Sequence, residues 1–179
     1  MLTLVLAECE IKVSPGEIDG NKSFPEMVHF PLLLTQDSGL AEERELRTIV
    51  HTIEDKVFYF GSDVKIPDDI ERFKKMMLNA AKGDQPQGIR VSEEWLIETL
   101  NDQIGKKMVM TSKGEKVDPS EVFSRTEDYV VVIGGFRKGD FDHPVYRWAD
   151  RKISISPRQM KPWSVTAETL VGYRYCSFE

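Results

Sequence analysis

The sequence predicts an α/β fold on a mostly parallel sheet, and three observations carry that prediction. Asp128 to Phe136 is a continuous apolar run that stops at Gly134-Gly135, as expected of a strand buried on both faces. A second short apolar strand, Lys152–Ser156, follows about one crossover later. Strand and helix patterns alternate through the second half of the chain, the arrangement that builds parallel sheets.

Taken in order, Leu2–Ala7 is apolar throughout and reads as a buried strand. Glu8–Pro25 is polar, carries Ser14-Pro15-Gly16 and Asp19-Gly20, and reads as loop. Met27–Leu34 is a second apolar segment, read as a strand that Pro31 interrupts, and Gln36–Glu45 is a polar loop. Leu46–Ile53 and Lys56–Phe60 flank Glu54-Asp55 as a hairpin, without the usual glycine. Ile66-Pro67 opens a helix, since proline suits a first turn and Asp68 and Asp69 suit the positive end of the dipole. Ile70, Phe73, Met76/Met77 and Ala80/Ala81 recur there at helical spacing up to Gly83. Asp84–Gly88 is a loop, and Ser92–Leu100 a helix with Ser92 as its cap. Lys107–Thr111 is a strand, Ser112–Gly114 a turn, and Asp118–Phe123 a short helix with proline at its first position. After the core strand come a loop from Arg137 to Arg151, the Lys152–Ser156 strand and a last helix running to Glu179. Trp163, Ala167, Leu170 and Val171 form an apolar stripe on that helix. Residues 46–82 read as a hairpin-and-helix extension on the sheet edge, and residues 1–179 as one domain.

At 40% hydrophobic and 30% charged residues, the composition is that of an ordinary globular domain. A net charge of −6 weighs against a nucleic-acid binder on bulk charge alone, although bulk charge does not report a local basic patch. Cys9 and Cys176 read as core thiols. His29, His51 and His143 are isolated from one another, and no metal constellation is expected. Met1–Ala7 is too short for a signal segment and no run approaches a membrane span, so the expected location is cytoplasmic. Phosphate-loop, dinucleotide and nucleophile-elbow patterns are lacking.

What remains is a pocket built from backbone. Gly134, Gly135 and Gly139, with the Ile153–Met160 loop, stand at the C-terminal ends of two buried strands, where open α/β sheets bind ligands. Main-chain amides and apolar walls of this kind suit an adenine and a ribose. The same glycines would serve equally to end a strand, and the residues alone leave both readings open.

Arg47-Thr-Ile-Val-His-Thr52, Ile66-Pro67 with Arg72-Phe73, Ile133-Gly-Gly-Phe136, Lys152-Ile-Ser-Ile-Ser156 and the Trp163 helix occur together, in this order. In that combination the chain resembles the ribosome-biogenesis SPOUT methyltransferases, which methylate N1 of a pseudouridine in small-subunit rRNA. It reads as a short, divergent member of archaeal type. The resemblance implies a SPOUT-type sheet with helices on both faces and a trefoil knot within residues 128–179. It also implies a homodimer and S-adenosylmethionine as methyl donor. Residues implied to bind the cofactor are Thr111, Gly134, Gly135, Gly139, Ile153, Ser154, Ile155, Ser156, Pro157, Arg158 and Met160. The family's RNA-contacting basic positions fall on Phe24, Glu42, Lys65, Asp68 and Arg72, of which Lys65 and Arg72 are basic. Its functional aspartate falls on Glu26, and its long basic insertion is shortened to about Glu17–Phe24.

Pseudouridine is joined to ribose through carbon, so its N1 carries a proton and is open to alkylation. On this reading Glu26 orients the base or takes that proton, while Lys65 and Arg72 hold flanking phosphates. A solvated carboxylate at Glu26, and an Arg72 paired with Asp68 or Asp69 along its own helix, are the plainer alternatives. The dimer is expected through the last helix and the knot, with Trp163, Leu170 and Tyr173 supplying apolar surface. An assembly factor that kept the fold and lost catalysis, or an enzyme with another RNA target, are the competing functions. A pure scaffold has no need of the cofactor loops.

Overall fold

The structure is a computed structural model and describes residues 1–84 and 86–176. Gln85, in the sequence-predicted loop, and residues 177–179, at the predicted end of the last helix, lie outside the described residues. Seven strands are present among them: β1 (Leu2–Cys9), β2 (Leu46–Thr52), β3 (Lys56–Phe60), β4 (Ile89–Glu93), β5 (Lys106–Lys116), β6 (Tyr129–Gly134) and β7 (Arg151–Ser154). They form one sheet in the order β4-β3-β2-β1-β6-β5-β7. From β2 to β7 all neighbours are parallel, with Leu2 opposite Tyr129 and Ala7 opposite Gly134 at the centre. β3 and β4 add antiparallel at one edge. The predicted hairpin is real, but its first strand belongs to the parallel part of the sheet, so the edge extension begins at β3.

Alternate residues of each strand face opposite sides of the sheet. Leu4, Leu6, Val50, Phe58, Val131 and Ile133 bury against α1 (Glu26–Gln36), α2 (Gly39–Glu42), α3 (Ile70–Ala81) and α6 (Pro162–Tyr175). Val5, Ile49, Val57, Val109, Val130 and Val132 bury against α4 (Leu96–Asn101) and α5 (Val145–Trp148). The helices therefore cover both faces, and none among the described residues is long and apolar enough to cross a membrane. Cys9 and Cys176 are buried free thiols, and burial pushes both up in pKa.

Several elements differ from the sequence reading. Met27–Leu34 is helix α1, not a strand: Met27, Val28, Pro31, Leu32 and Thr35 are buried at three- and four-residue spacing, and a short apolar run does not reveal its period. Pro31 deprives this helix of one hydrogen bond and is itself buried among those apolar neighbours. The polar stretch after it contains α2, capped by the Ser38 hydroxyl, which accepts from the Ala41 N–H at 3.2 Å. Helix α3 starts at Ile70 because Asp69, not Pro67, supplies its cap, accepting from the Arg72 N–H at 2.9 Å. Ser92 lies in β4, opposite Val57, and α4 begins only at Leu96 because the Glu94 N–H is taken by Asp55 of the hairpin turn. Ser112–Gly114 does not end its strand. β5 bulges there and pairs with β7 on both sides of the bulge, Met110 and Glu115 each opposite Ile153. The loop before β7 contains α5. On α6 the buried residues are Pro162, Thr166, Thr169, Leu170, Gly172 and Tyr173, whereas Val171 is 54% exposed and Trp163 half-buried. Leu170 and Tyr173 thus belong to the core, and are not free to face a second copy.

Candidate functional site

Strands β6, β5 and β7 bring their C-terminal halves together around one open cleft. Its floor is apolar: Met110 of β5, Ile133 of β6, Ile153 of β7, then Ile155, Met160 and Val165. One wall is aromatic. Phe136 packs edge-on against Phe141 with centroids at 5.2 Å, and Phe141 against Tyr146 at 5.8 Å.

The polar end is a hydrogen-bonded group of four side chains. Lys113 Nζ lies 2.6 Å from Asp140 Oδ2, and the Tyr146 hydroxyl donates to Asp140 Oδ1 at 2.5 Å. The Thr111 hydroxyl, 3.1 Å from the Tyr146 oxygen, is left to donate to it. Burial works to raise the Asp140 carboxyl, but the bonds from Lys113, Tyr146 and the Phe141 N–H outweigh it and hold the group below the usual range. Burial and Asp140 push the Tyr146 phenol up, and the Asp140 bond raises Lys113. At neutral pH the cleft thus presents a carboxylate, an ammonium and two neutral hydroxyls.

Of the predicted cofactor residues, Thr111, Gly134, Gly139, Ile153, Ile155, Ser156, Arg158 and Met160 line this cleft. Gly134 lies against the aromatic wall, where an added Cβ would meet the Phe136 ring at 2.5 Å. Gly135, Ser154 and Pro157 stand apart from the lining. Gly135 faces away, its N–H donating to the Ala7 carbonyl at 2.8 Å and its open side filled by Cys9. Ser154 is buried, with its hydroxyl folded onto the Ser156 carbonyl at 2.9 Å. Pro157 is exposed in the loop beyond β7. Lys113, Asp140, Phe141 and Tyr146 line the cleft without having been singled out in the sequence, whereas Phe136 and Gln159 come from the quoted Ile133–Phe136 and Ile153–Met160 segments. For Asp140 the local signal was Gly139, whose carbonyl accepts from the Gln159 side chain at 3.3 Å.

Glu26 opens α1, half-buried. Phe24, two residues earlier, lies under the Arg137 guanidinium at 3.3 Å, so the start of α1 adjoins the loop that leaves β6. One turn into α1, His29 Nε2 donates to the Pro67 carbonyl at 2.7 Å and its ring stacks on Phe73 at 4.5 Å. This histidine, isolated in sequence, ties α1 to the segment carrying Lys65 and Arg72. Both cations are exposed, and among the described residues neither has an ion-pair partner. Asp69 binds the Arg72 backbone, not its guanidinium. Glu42 and Asp68 are exposed acids.

Residues 14–174 match the family described as EMG1/NEP1 methyltransferase. The chain is 31% identical over 172 residues to the ribosomal RNA small subunit methyltransferase Nep1 of Thermococcus onnurineus, covering 92% of this chain and 76% of the relative. It is 30% identical over 159 residues to the protein of the same name from Thermococcus kodakarensis, covering 83% and 70%. Among solved structures it resembles Archaeoglobus fulgidus Nep1 bound to S-adenosylhomocysteine, with a TM-score of 0.77, 22% identity and 97% of each chain covered.

Proposed function

The chain belongs to the EMG1/NEP1 methyltransferase family, and from that premise we propose that it transfers a methyl group from S-adenosylmethionine to N1 of a pseudouridine in small-subunit rRNA during ribosome biogenesis. The observation that carries the reading is the cleft at the ends of β6, β5 and β7, lined by eight of the residues expected to hold the cofactor. The solved neighbour is bound to S-adenosylhomocysteine. The donor set here fits such a group. The apolar floor from Met110 to Val165 suits an adenine, and Asp140 and Lys113 offer the acceptor and donor that a ribose and an amino acid need.

The bound donor supplies a methyl group already activated on a sulfonium. The protein has to align the base and receive a proton. Glu26, at the start of α1 beside the Phe24–Arg137 contact, is assigned to orient the base or accept the N1 proton. Lys65 and Arg72, exposed and without ion-pair partners among the described residues, are assigned to flanking phosphates. A base within structured RNA has to be presented unstacked to reach such a cleft.

The fold belongs with this reading. The resemblance carries the reading of a C-terminal knot in the manner of SPOUT enzymes, and helix α6 runs so close to the 3₁₀ turn Pro119–Glu121 that a Cβ on Gly172 would meet the Pro119 carbonyl at 2.6 Å. Phe30 and Leu34 of α1 and Val171 and Tyr175 of α6 are exposed apolar side chains, which supports a homodimer on the α1–α6 face. A mass by light scattering of Val171→Glu at twice the monomer would break that assignment. With that substrate we assign the protein to the cytoplasm, alongside the ribosome.

A net charge of −6, and Phe24, Glu42 and Asp68 where the family is basic, favour the second reading of an assembly factor that no longer methylates. Calorimetric titration with S-adenosylhomocysteine, followed by methylation of matched oligonucleotides carrying pseudouridine or uridine, separates the two. Micromolar binding and pseudouridine-dependent turnover are expected. No binding at millimolar cofactor would leave only the scaffold.

A further inference from the structure

Glu8, near the end of β1, is 7% exposed and holds φ at 51°, a conformation that residues other than glycine seldom adopt. Both of its carboxylate oxygens go to one loop. Oε1 accepts from the His143 N–H at 2.8 Å and from His143 Nδ1 at 2.6 Å, and Oε2 accepts from the Asp142 N–H at 2.9 Å. Two residues further on, Glu10 Oε2 accepts from the Arg137 N–H at 3.0 Å, at the other end of the same loop. Between these attachments lie Gly139, Asp140 and Phe141, which line the cleft.

Behind Glu8 stands a second pair. The Glu8 N–H points to His51 Nδ1 at 3.4 Å, and His51 Nε2 donates to Asp55 Oδ1 at 3.1 Å. The His51 and His143 rings meet edge-on at 5.8 Å. A buried carboxylate is costly unless its oxygens are bonded, and here every bond it accepts comes from the loop. Its removal therefore acts on the loop before anything else.

We infer that Glu8 is a positioning residue for the methyl donor: through the Asp142 and His143 amides it fixes the Gly139–Phe141 wall of the cleft, so that cofactor affinity depends on a carboxylate outside the cleft. This rests on the cofactor reading above. Glu8→Gln keeps the shape but offers one acceptor oxygen, and turns an NH₂ toward a backbone donor. S-adenosylhomocysteine should bind Glu8→Gln about 10-fold more weakly, the scale of one lost charge-assisted hydrogen bond. The Asp142 and His143 amides should exchange with solvent faster in the free variant and return to wild-type protection when it is saturated. His143→Gln, which leaves both backbone bonds in place, should weaken binding less, and the double variant no more than Glu8→Gln alone. Wild-type affinity in a folded Glu8→Gln, or faster amide exchange at unchanged affinity, overturns the proposal. Were Glu8→Gln not to fold, wild-type affinity in Glu8→Asp, whose carboxylate is drawn back by one methylene from the Asp142 and His143 amides, would do the same. A wild-type protein that binds no S-adenosylhomocysteine overturns the cofactor reading itself.

Discussion

The cleft draws its lining from residues 110–165, much of it backbone and apolar side chains at the ends of three adjacent parallel strands. The Glu26, Lys65 and Arg72 side draws on the start of α1 and on the approach and first turn of α3, through exposed or half-exposed polar side chains. In the cleft, the groups that shape the site are also the groups that close the core: Ile133 and Ile153 are at most 1% exposed and line it as well. On the other side, His29 and Phe73 hold the core while Lys65 and Arg72 face solvent. Site and core are one structure in the first region and separable in the second. Substitutions in the first should therefore alter cofactor affinity abruptly. Those in the second should alter turnover or RNA affinity in increments and leave the fold alone.

The largest effect belongs to the cleft. Gly134→Val puts a branched side chain where even a Cβ would meet the Phe136 ring at 2.5 Å, and it pushes the aromatic wall into the space the cofactor needs. Calorimetry should show S-adenosylhomocysteine binding lost, by more than about 100-fold, while RNA affinity without cofactor stays at the wild-type value. Equal loss of both would show that the two regions are not separable. Glu26→Ala is the matching test on the other side. Turnover should fall by about 100-fold, the lower end for a positioned proton acceptor, with cofactor affinity unchanged. Unchanged methyl transfer would return Glu26 to a solvated carboxylate.

A smaller effect tests whether the exposed cations act as phosphate contacts. Arg72→Ala and Lys65→Ala should each weaken RNA binding and lower the slope of log affinity against log salt by roughly one. A slope that does not move would assign both to the surface alone.

The same contrast governs how much was legible in the sequence. The parallel strands and the cleft loops could be read because a buried strand ending in Gly134-Gly135 is a local pattern, and its chemistry is largely backbone. Asp140 and Tyr146 could not, because their partners Lys113 and Thr111 come from another strand, beyond the reach of periodicity. Helix α1 was missed because Pro31 argued against a helix and tertiary burial overrode it. β4 was missed because its five residues carry only Ile89 as a fully buried apolar side chain. Glu8 looked like the first residue of a polar loop, and only the fold brings the 142–143 amides to it.

The smallest expected effect lies behind Glu8, at His51. Burial pushes its imidazole below the ordinary value of 6.5, and the Asp55 carboxylate at 3.1 Å offsets this only in part. The folded state therefore resists a proton that the unfolded chain accepts. Its contribution is fully present above pH 6.5 and is lost as pH falls from there through the lower folded-state value. The slope from one such group is at most about 1.4 kcal/mol per pH unit. Urea midpoints between pH 7.5 and 5.5 should fall more steeply for the wild type than for His51→Gln, which cannot titrate. Below the transition the cleft loop should loosen with the fold, because His51 stands directly behind Glu8. Identical slopes in the two proteins would mean that another group carries the acid sensitivity.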